Sequence, residues 1–302
     1  MKTKIFFANL KTTAVGVWQK KRFFDATVSC ASIWTLLIEK ILLYNIDQRA
    51  TAVAYNFTLA VFPTILFLFT LIPYIPIPDL EYTIMNAMRG FMPLPIYEFA
   101  ASTIYDIISR KQGGILSFGF ILALVTATNG MGALITAFNM ANQSKEKRGY
   151  FKTRGVSLML TVLLALVIFL SVLIIFVGGQ ILSFLNEKIF PNHDITFMLL
   201  YVLRYVVMFG TFWAVVSIIY RYAPTLKHGW RLFNIGSFVA AFLIILATYC
   251  FSYYLADFST YNKLYGSIGT IIAVMIWFYL IALMLIFGFE LNVSIWKAKH
   301  SC

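Results

Sequence analysis

Charged side chains are scarce in this chain. Of its 302 residues only 12% are charged, whereas 61% are hydrophobic and 17% are aromatic. A mean hydropathy of +0.82 is typical of proteins whose main solvent is lipid, so the composition predicts a multi-pass membrane protein. Backbone groups in hydrocarbon must hydrogen-bond within their own segment, and long apolar runs therefore predict helices and an all-α fold.

Cysteine and histidine are also rare, and no familiar catalytic pattern is present. The three cysteines and three histidines are widely separated; they are Cys30, Cys250, Cys302, His193, His228 and His300. An odd cysteine count without metal-ligand spacing offers neither a disulfide framework nor a zinc site. The H-E-x-x-H, G-x-S-x-G and P-loop motifs are missing as well. We therefore expect no cofactor, no metal and no enzymatic activity.

Six apolar runs reach the roughly 20 residues that a membrane-spanning helix needs. These runs are 51–72, 114–141, 156–185, 196–220, 235–256 and 268–291. Residues 26–38 form a shorter uncharged stretch, which predicts an amphipathic helix over 23–45 that lies on the membrane surface. A short seventh span is the alternative for this segment.

Basic residues are distributed unevenly among the segments between the runs. Of the 24 Lys and Arg residues, 18 fall in the N-terminal segment, in alternate loops and in the tail, and five fall in the other loops. By the positive-inside rule, both termini are predicted to be cytoplasmic. The chain then divides into a cytoplasmic segment 1–50, a transmembrane domain 51–292 and a tail 293–302. Anionic lipid headgroups account for the net charge of +12, so no nucleic-acid partner is expected.

The 73–113 segment is the longest loop predicted outside. Apolar residues recur there at helical spacing, and Pro93 and Pro95 interrupt the pattern. We expect two short amphipathic helices, which either cover the outer mouth of the bundle or rest on the membrane surface.

Polar residues inside the second span have two interpretations. Asn129, Gly132, Thr136 and Asn139 are three, four and three positions apart, a spacing that gives them one helix face. Small and amide side chains on one face favour close helix packing with interhelical hydrogen bonds. The alternative is that this face lines a polar path through the bundle.

The first, fourth and fifth spans contribute further candidates. Asn56 lies near the predicted inner end of the first span, and Pro63 predicts a kink at its middle that can act as a hinge. Arg204 in the fourth span either extends to the outer interface, with Asp257 as a partner, or handles substrate directly.

Glu290 is the one acid in the last apolar run. Its position about 22 residues into that span puts it near the inner headgroups, too far along the membrane normal for a pair with Arg204. A carboxylate at a helix C-terminus is disfavoured by the helix dipole, which calls for a cationic partner. By depth, the candidates are Arg221, Arg49 and Lys40, and Glu290 is predicted to fasten the last span to the fourth span or to the N-terminal helix.

Two stretches carry a resemblance to a known family. "QRATAVAYNFTLAVFPTILFLFTLIP", residues 48–73, and "YNKLYGSIGTIIAVMIWFYLIALMLIFGFELN", residues 261–292, resemble the first and last helices of the YihY/BrkB family of bacterial inner-membrane proteins. Phe289 departs from the alanine that is frequent in the family. Members have carried the label ribonuclease BN, yet this sequence contains no RNA platform or catalytic acid cluster.

The resemblance implies a bacterial inner-membrane location and a link to lipids or lipid-linked envelope components. Together with the polar second span and Pro63, it favours a transporter or channel-like protein that moves a lipid or similar amphiphile, with membrane lipids as partners. The alternative is a scaffold that organises envelope proteins. The sequence leaves the substrate and the oligomeric state open.

Overall fold

The computed structural model is built of helices. It describes residues 30–43, 45–76, 79–91, 94–142, 146, 148–188, 194–225, 232–256 and 259–300. Within these residues there are nine α-helices, one short 3-10 helix at Ile72–Tyr74 and no strand, which confirms the all-α prediction. In chain order the helices are α1 Cys30–Leu43, α2 Ile46–Leu71, α3 Leu80–Phe91, α4 Leu94–Ser109, α5 Gly113–Ala141, α6 Tyr150–Lys188, α7 Asp194–Tyr222, α8 Ile235–Ala256 and α9 Ser259–His300.

Five stretches among the described residues are long and apolar enough to cross a membrane. They are Ile46–Tyr74, Gly113–Ala141, Tyr150–Val167, Ile235–Leu255 and Ile271–Lys299. The remaining predicted span, 196–220, is helical within α7, but many of the side chains in its first half lie outside the described residues. A count of six spans therefore stays a prediction.

The structure describes part of the predicted N-terminal helix. α1 covers Cys30–Leu43, and residues 23–29 of the predicted helix lie outside the described part. Asn45, with φ at 44°, separates α1 from α2. α1 packs against α9 rather than standing apart from the bundle.

Two helices occupy the long loop, as the amphipathic pattern predicts. α3 and α4 follow each other across residues 92–93, which are outside the described part, and Pro95 lies in the first turn of α4. Proline is tolerated there because the first-turn amides of a helix have no intrahelical acceptor. α4 packs against α2, and Ile108 near its end is fully buried.

Pro63 does not break α2. The helix runs from Ile46 to Leu71 with Pro63 inside it, and the kink at Pro63 stays a prediction. A proline removes one amide donor, and the turns around it keep their other bonds. The Thr64 hydroxyl also donates to the Ala60 carbonyl at 2.6 Å, one turn earlier. A hinge at Pro63 stays a prediction.

Among the side chains that the structure describes, the buried core is concentrated at one end of the bundle. α2 and α8 begin at this end, whereas α5, α7 and α9 approach it with their C-terminal halves. In α9, buried apolar residues appear from Ala282 to Ala298, and none of residues 271–280 is buried. In α2, seven of the eight buried residues precede Val61. We call this region, which contains Arg49, Asn139, Tyr220, Gly236 and Glu290, the closed end.

Two glycines let α8 and α9 cross in direct backbone contact at the closed end. A Cβ atom built on Gly288 would lie 2.6 Å from the Ala240 Cβ, 2.6 Å from the Gly236 carbonyl oxygen and 2.8 Å from the Tyr220 hydroxyl. Such distances are below van der Waals contact, so residue 288 must be glycine for this crossing to form.

Gly288→Ala is expected to lower the free energy of unfolding by about 1–3 kcal/mol, because the added methyl overpacks the crossing. The measurement is unfolding of the purified protein in detergent micelles. Gly210→Ala in α7 is the matched control, since a Cβ there meets nothing within 4 Å. Equal losses in the two variants would contradict the close crossing.

Candidate functional site

Glu290 is the centre of a buried ion cluster at the closed end. Its side chain is 0% exposed, and Oε1 accepts a hydrogen bond from Arg49 Nη2 at 2.8 Å. Lys40 Nζ lies 3.3 Å from Oε2. Both cations are themselves buried, with 4–5% of the side chain exposed. One carboxylate therefore connects α9 to α1 and to the first turn of α2.

The same two cations also bind the C-terminal turn of α5. Arg49 Nη1 donates to the Ala137 carbonyl at 3.0 Å, and Lys40 Nζ donates to the Ala141 carbonyl at 3.3 Å. The Ala141 carbonyl is at the end of α5 and has no intrahelical donor, and the partial negative charge of the helix C-terminus favours both cations. The cluster thus joins four helices through one anion, two cations and two backbone oxygens.

An aromatic cluster packs beside these charges. Phe138 stacks on Phe289 with ring centroids 4.4 Å apart, and Tyr220 meets both rings edge-on at 5.4 Å. The Tyr220 hydroxyl donates to the Leu285 carbonyl at 2.6 Å. All three rings are fully buried, which keeps water away from the neighbouring charges and strengthens their attraction.

Polar groups at the start of α8 complete the closed end. The Asn234 side chain accepts from the Ser237 amide at 2.8 Å, a capping contact at the helix N-terminus. Asn292 of α9 accepts from the Gly236 amide at 2.8 Å and also contacts Asn234. Ser217 of α7 donates to the Ser237 hydroxyl at 2.9 Å. These bonds satisfy backbone amides that would otherwise be orphaned where helices begin.

A second acid connects the loop after α5 to the end of α7. Glu146 accepts from Arg148 Nε at 2.8 Å, from the Thr225 hydroxyl at 2.8 Å and from the Asn139 amide at 2.7 Å. Desolvation opposes the charged form, but the bonds from Arg148 and Thr225 prevail and lower the pKa of Glu146 to about 2. Arg148 also donates to the Ala223 carbonyl at 2.7 Å, which fixes the end of α7.

The residues proposed for a polar path along α5 point to different neighbours. Asn139 is buried, donates to Glu146 and accepts from the Thr225 amide at 2.7 Å. Thr136 is exposed and donates back to the Gly132 carbonyl at 2.9 Å. Asn129 accepts a short hydrogen bond from Arg154 of α6. The structure does not bring these three side chains to one place.

The remaining candidate residues from the sequence are either separate from the ion cluster or outside the residues that the structure describes. Asn56 donates to the Ala52 carbonyl of its own helix at 2.8 Å. Arg204 lies in α7, but its side chain is not among those described, and Asp257 lies outside the described residues. Their proposed pairing therefore stays a prediction.

The ion cluster agrees with two of the three partners proposed for Glu290. Arg49 and Lys40 are its partners, and Arg221 instead lies over the Tyr222 ring at 5.8 Å. Sequence reasoning missed the Glu146 cluster, although Glu146 is an isolated acid among five basic loop residues. That isolation is a usable signal, since an acid in a basic loop is favourably placed for a specific cation.

An apolar cavity of about 270 Å³ lies between α2, α5, α6 and α9. Its wall includes Phe57, Ala127, Met131, Leu164 and Phe278. Two threonines also contribute to it, but their hydroxyls are already used: Thr64 donates to Ala60, and Thr161 donates to the Ser157 carbonyl at 2.9 Å. The cavity therefore offers a surface for hydrocarbon rather than for ions.

A second cavity of similar volume, about 270 Å³, lies between α8 and α9 and is lined by Phe251, Leu255, Val274 and Trp277 among others. Within the part of the chain that the structure describes, no group of three or more His, Cys, Asp or Glu residues is arranged to hold a metal ion.

Comparisons with known proteins agree with this architecture, which is that of a multi-pass α-helical membrane protein. The family model described as "Virulence factor BrkB" matches residues 37–301, so the chain belongs to the BrkB family. The chain is 30% identical over 263 residues to the "Putative ribonuclease-like protein YfkH" of Bacillus subtilis, covering 87% of this chain and 94% of that protein.

Two relatives from other bacteria carry the name "UPF0761 membrane protein". The Pseudoalteromonas atlantica protein is 25% identical over 256 residues, covering 82% of this chain and 80% of its own. The Tolumonas auensis protein is 23% identical over 216 residues, covering 69% and 67%. No solved structure matches the chain.

Glu290→Gln is expected to reduce stability by about 3–5 kcal/mol, because it leaves two buried cations without their counter-charge. Thermal unfolding in detergent and the amount of protein in membranes measure the effect. Asp106→Asn is the matched control, since its pair with Arg110 is exposed and such pairs contribute about 0–1 kcal/mol. A wild-type melting temperature for Glu290→Gln would contradict the role of the cluster.

The buried Lys40 should make the stability of the protein depend on pH in the alkaline range. Burial lowers its pKa from 10.5 to about 8, assisted by the nearby Lys297 and Arg49 and opposed by Glu290. Between about pH 8 and 10.5 the unfolded chain keeps a proton that folded Lys40 has released, so the free energy of unfolding should rise with pH in this window. The free energy of unfolding of Lys40→Met, measured across the same pH range, should lack that rise. Equal slopes of this free energy against pH in Lys40→Met and the wild type would contradict the prediction.

Proposed function

We propose that this chain is a transporter that moves a lipid or a similar amphiphile within or across a bacterial plasma membrane. The observation that carries the proposal is the apolar cavity between α2, α5, α6 and α9. Its volume of about 270 Å³ is close to that of small-molecule pockets, and its wall suits an acyl chain.

The uneven packing of the bundle supports this function. Ion pairs, aromatic rings and a glycine crossing hold the helices together at the closed end. Away from it, among the side chains that the structure describes, only Thr70 is buried in residues 61–71 of α2, and none is buried in residues 271–280 of α9. Transport by rocking of helices around a fixed region needs one part that stays packed and another that separates at low cost. The closed end supplies the first part, and the cavity lies in the second.

The orientation is part of the proposal. The excess of Lys and Arg in the N-terminal segment, alternate loops and tail supports a cytoplasmic position for both termini and therefore for the closed end. The cavity is then nearer the outer leaflet than the ion cluster is. In this orientation α3 and α4 are on the outer side, where α4 packs against α2.

A scaffold that organises envelope proteins is the second candidate. It is favoured by the way polar side chains in the spans bond within the protein: Asn56 to Ala52, Thr136 to Gly132, and Asn292 to Gly236. Such bonds suit packing. A scaffold needs no cavity, so changes that fill the cavity separate the two functions.

Reconstitution in liposomes tests the transport function. The purified chain should accelerate the movement of fluorescent phospholipids between leaflets above the rate in empty vesicles, measured by quenching from one side. Ala127→Trp should slow this movement because the indole fills the cavity. No acceleration with several lipid classes would favour the scaffold.

The matched control is Val125→Trp, two residues earlier on α5 at a position that is 51% exposed. It adds the same indole outside the cavity and should leave the rate unchanged. Both variants should keep the wild-type melting temperature. Equal rates for the two variants would show that the cavity is not the route.

A further inference from the structure

Arg154 is a charged residue in an unusual place. It follows the first turn of α6, is exposed, and donates from Nη1 to Asn129 Oδ1 on α5. Asn129 is 16 residues from the start of α5 and 12 from its end, so the guanidinium is bonded near the middle of a candidate membrane span. An arginine beside the end of a span normally extends toward water, and this one extends toward the hydrocarbon.

Exposed apolar side chains lie one helical turn from each of the two bonded residues. Val125, four residues before Asn129 on α5, is 51% exposed, and Leu158, four residues after Arg154 on α6, is 39% exposed. Such side chains are typical of a lipid-facing surface in a membrane-spanning helix. The cation therefore faces the lipid rather than the interior of the bundle.

None of the ion pairs formed by the described residues includes Arg154. Its neighbours are neutral: the Asn129 amide, the Tyr150 hydroxyl at 3.4 Å from Nε, and the Tyr150 ring with its centroid 5.7 Å away. A guanidinium in hydrocarbon needs a counter-charge. The described part of the protein supplies none, which indicates that the counter-ion comes from outside.

The neutral neighbours are suited to the same anion. Because the Asn129 oxygen accepts from Arg154, the two N–H groups of its amide are donors toward another molecule. The Tyr150 hydroxyl likewise accepts from Arg154 and keeps its own hydrogen to donate. A guanidinium, an amide and a phenol then form a set of donors, which is the arrangement that binds phosphate oxygens.

We propose that Arg154, Asn129 and Tyr150 bind the phosphate of an anionic phospholipid at the lipid-facing junction of α5 and α6. A headgroup without a cation, such as phosphatidylglycerol, fits best, because no carboxylate is present in this donor set to receive the ammonium of a zwitterionic headgroup. The site deepens the proposed transport function and rests on it for its role, since it names the class of lipid that the protein selects.

Lipid-dependent stabilisation of the purified full-length chain tests the site. In neutral detergent, added phosphatidylglycerol should raise the melting temperature more than phosphatidylcholine with the same acyl chains, as expected for a ligand that binds the folded state. Arg154→Gln should weaken this response about tenfold or more in lipid concentration, the scale of a lost charge-assisted bond. Inorganic phosphate at the same concentration should have no effect.

Lys152→Gln is the matched control. Lys152 is exposed, and its substitution by Gln removes the same charge as Arg154→Gln does. Lys152 and Arg154 are two residues apart, which corresponds to about 200° around the helix, so the Lys152 side chain points away from that of Arg154. It should respond to phosphatidylglycerol like the wild type. An equal loss in Lys152→Gln, or no loss in Arg154→Gln, would overturn the site.

Asn129→Asp keeps the test decisive if Arg154→Gln fails to fold. The new carboxylate gives Arg154 an internal counter-ion, so the variant should be at least as stable as the wild type and should lose the preference for phosphatidylglycerol. A retained preference would overturn the site.

Transport and binding are read separately. One outcome would remove the site and leave the proposed function. In that outcome the wild type moves lipid in liposomes without a preference for phosphatidylglycerol, and Arg154→Gln moves it at the same rate. Selective binding without any lipid movement would remove the transport function and leave the site.

Discussion

The ion pairs of Glu290 with Arg49 and Lys40 are the interaction on which the closed end depends. The Glu290 carboxylate is 0% exposed, and burying such a charge in a membrane protein requires that cationic partners be buried beside it. The pairs form only when α1, α2 and α9 are docked in one register, and the carbonyls of Ala137 and Ala141 extend that requirement to α5. The glycine crossing of α8 with α9 and the stacked rings beside it then follow from the same register. A buried charge cluster contributes specificity here, because any other docking leaves charges unpaired in hydrocarbon.

This arrangement divides the bundle into two parts with different physical properties. Directional contacts, which tolerate little displacement, are concentrated at the closed end. Away from it, the helices meet through apolar side chains and enclose cavities, and nondirectional contacts can slide or separate at lower cost. Lipid can take the place of such contacts without leaving a polar group unsatisfied. The same division would be expected of a protein in which helices move against a fixed end, and it is the physical link between the ion cluster and the proposed function.

Much of this architecture can be read from the sequence, because hydrophobic length and charge position are local properties. Apolar runs predict the helices, amphipathic spacing predicts α3 and α4, and depth along a helix is sufficient to place Glu290 near Arg49 and Lys40. Lateral relations between helices are not local. The pairing of Arg154 with Asn129 depends on which face of α6 meets α5, and the helical period alone contains no information on this. Pro63 shows a different limit of sequence analysis. The loss of its amide donor is predictable from the sequence, but the hydrogen bonds of the surrounding turns decide whether the helix continues.

Two arginines of this chain show how environment assigns different roles to the same type of side chain. Arg49 is buried, pairs with the Glu290 carboxylate at 2.8 Å and donates to the Ala137 carbonyl of α5, so its charge helps to hold the fold together. Arg154 is exposed, and the groups that it contacts are neutral. Both cost free energy to keep out of water, but only the first is compensated within the described protein. A charge that remains uncompensated on a lipid-facing surface is stable when the membrane supplies the anion, and this makes lipid composition a part of the structure at α5 and α6 rather than a passive solvent.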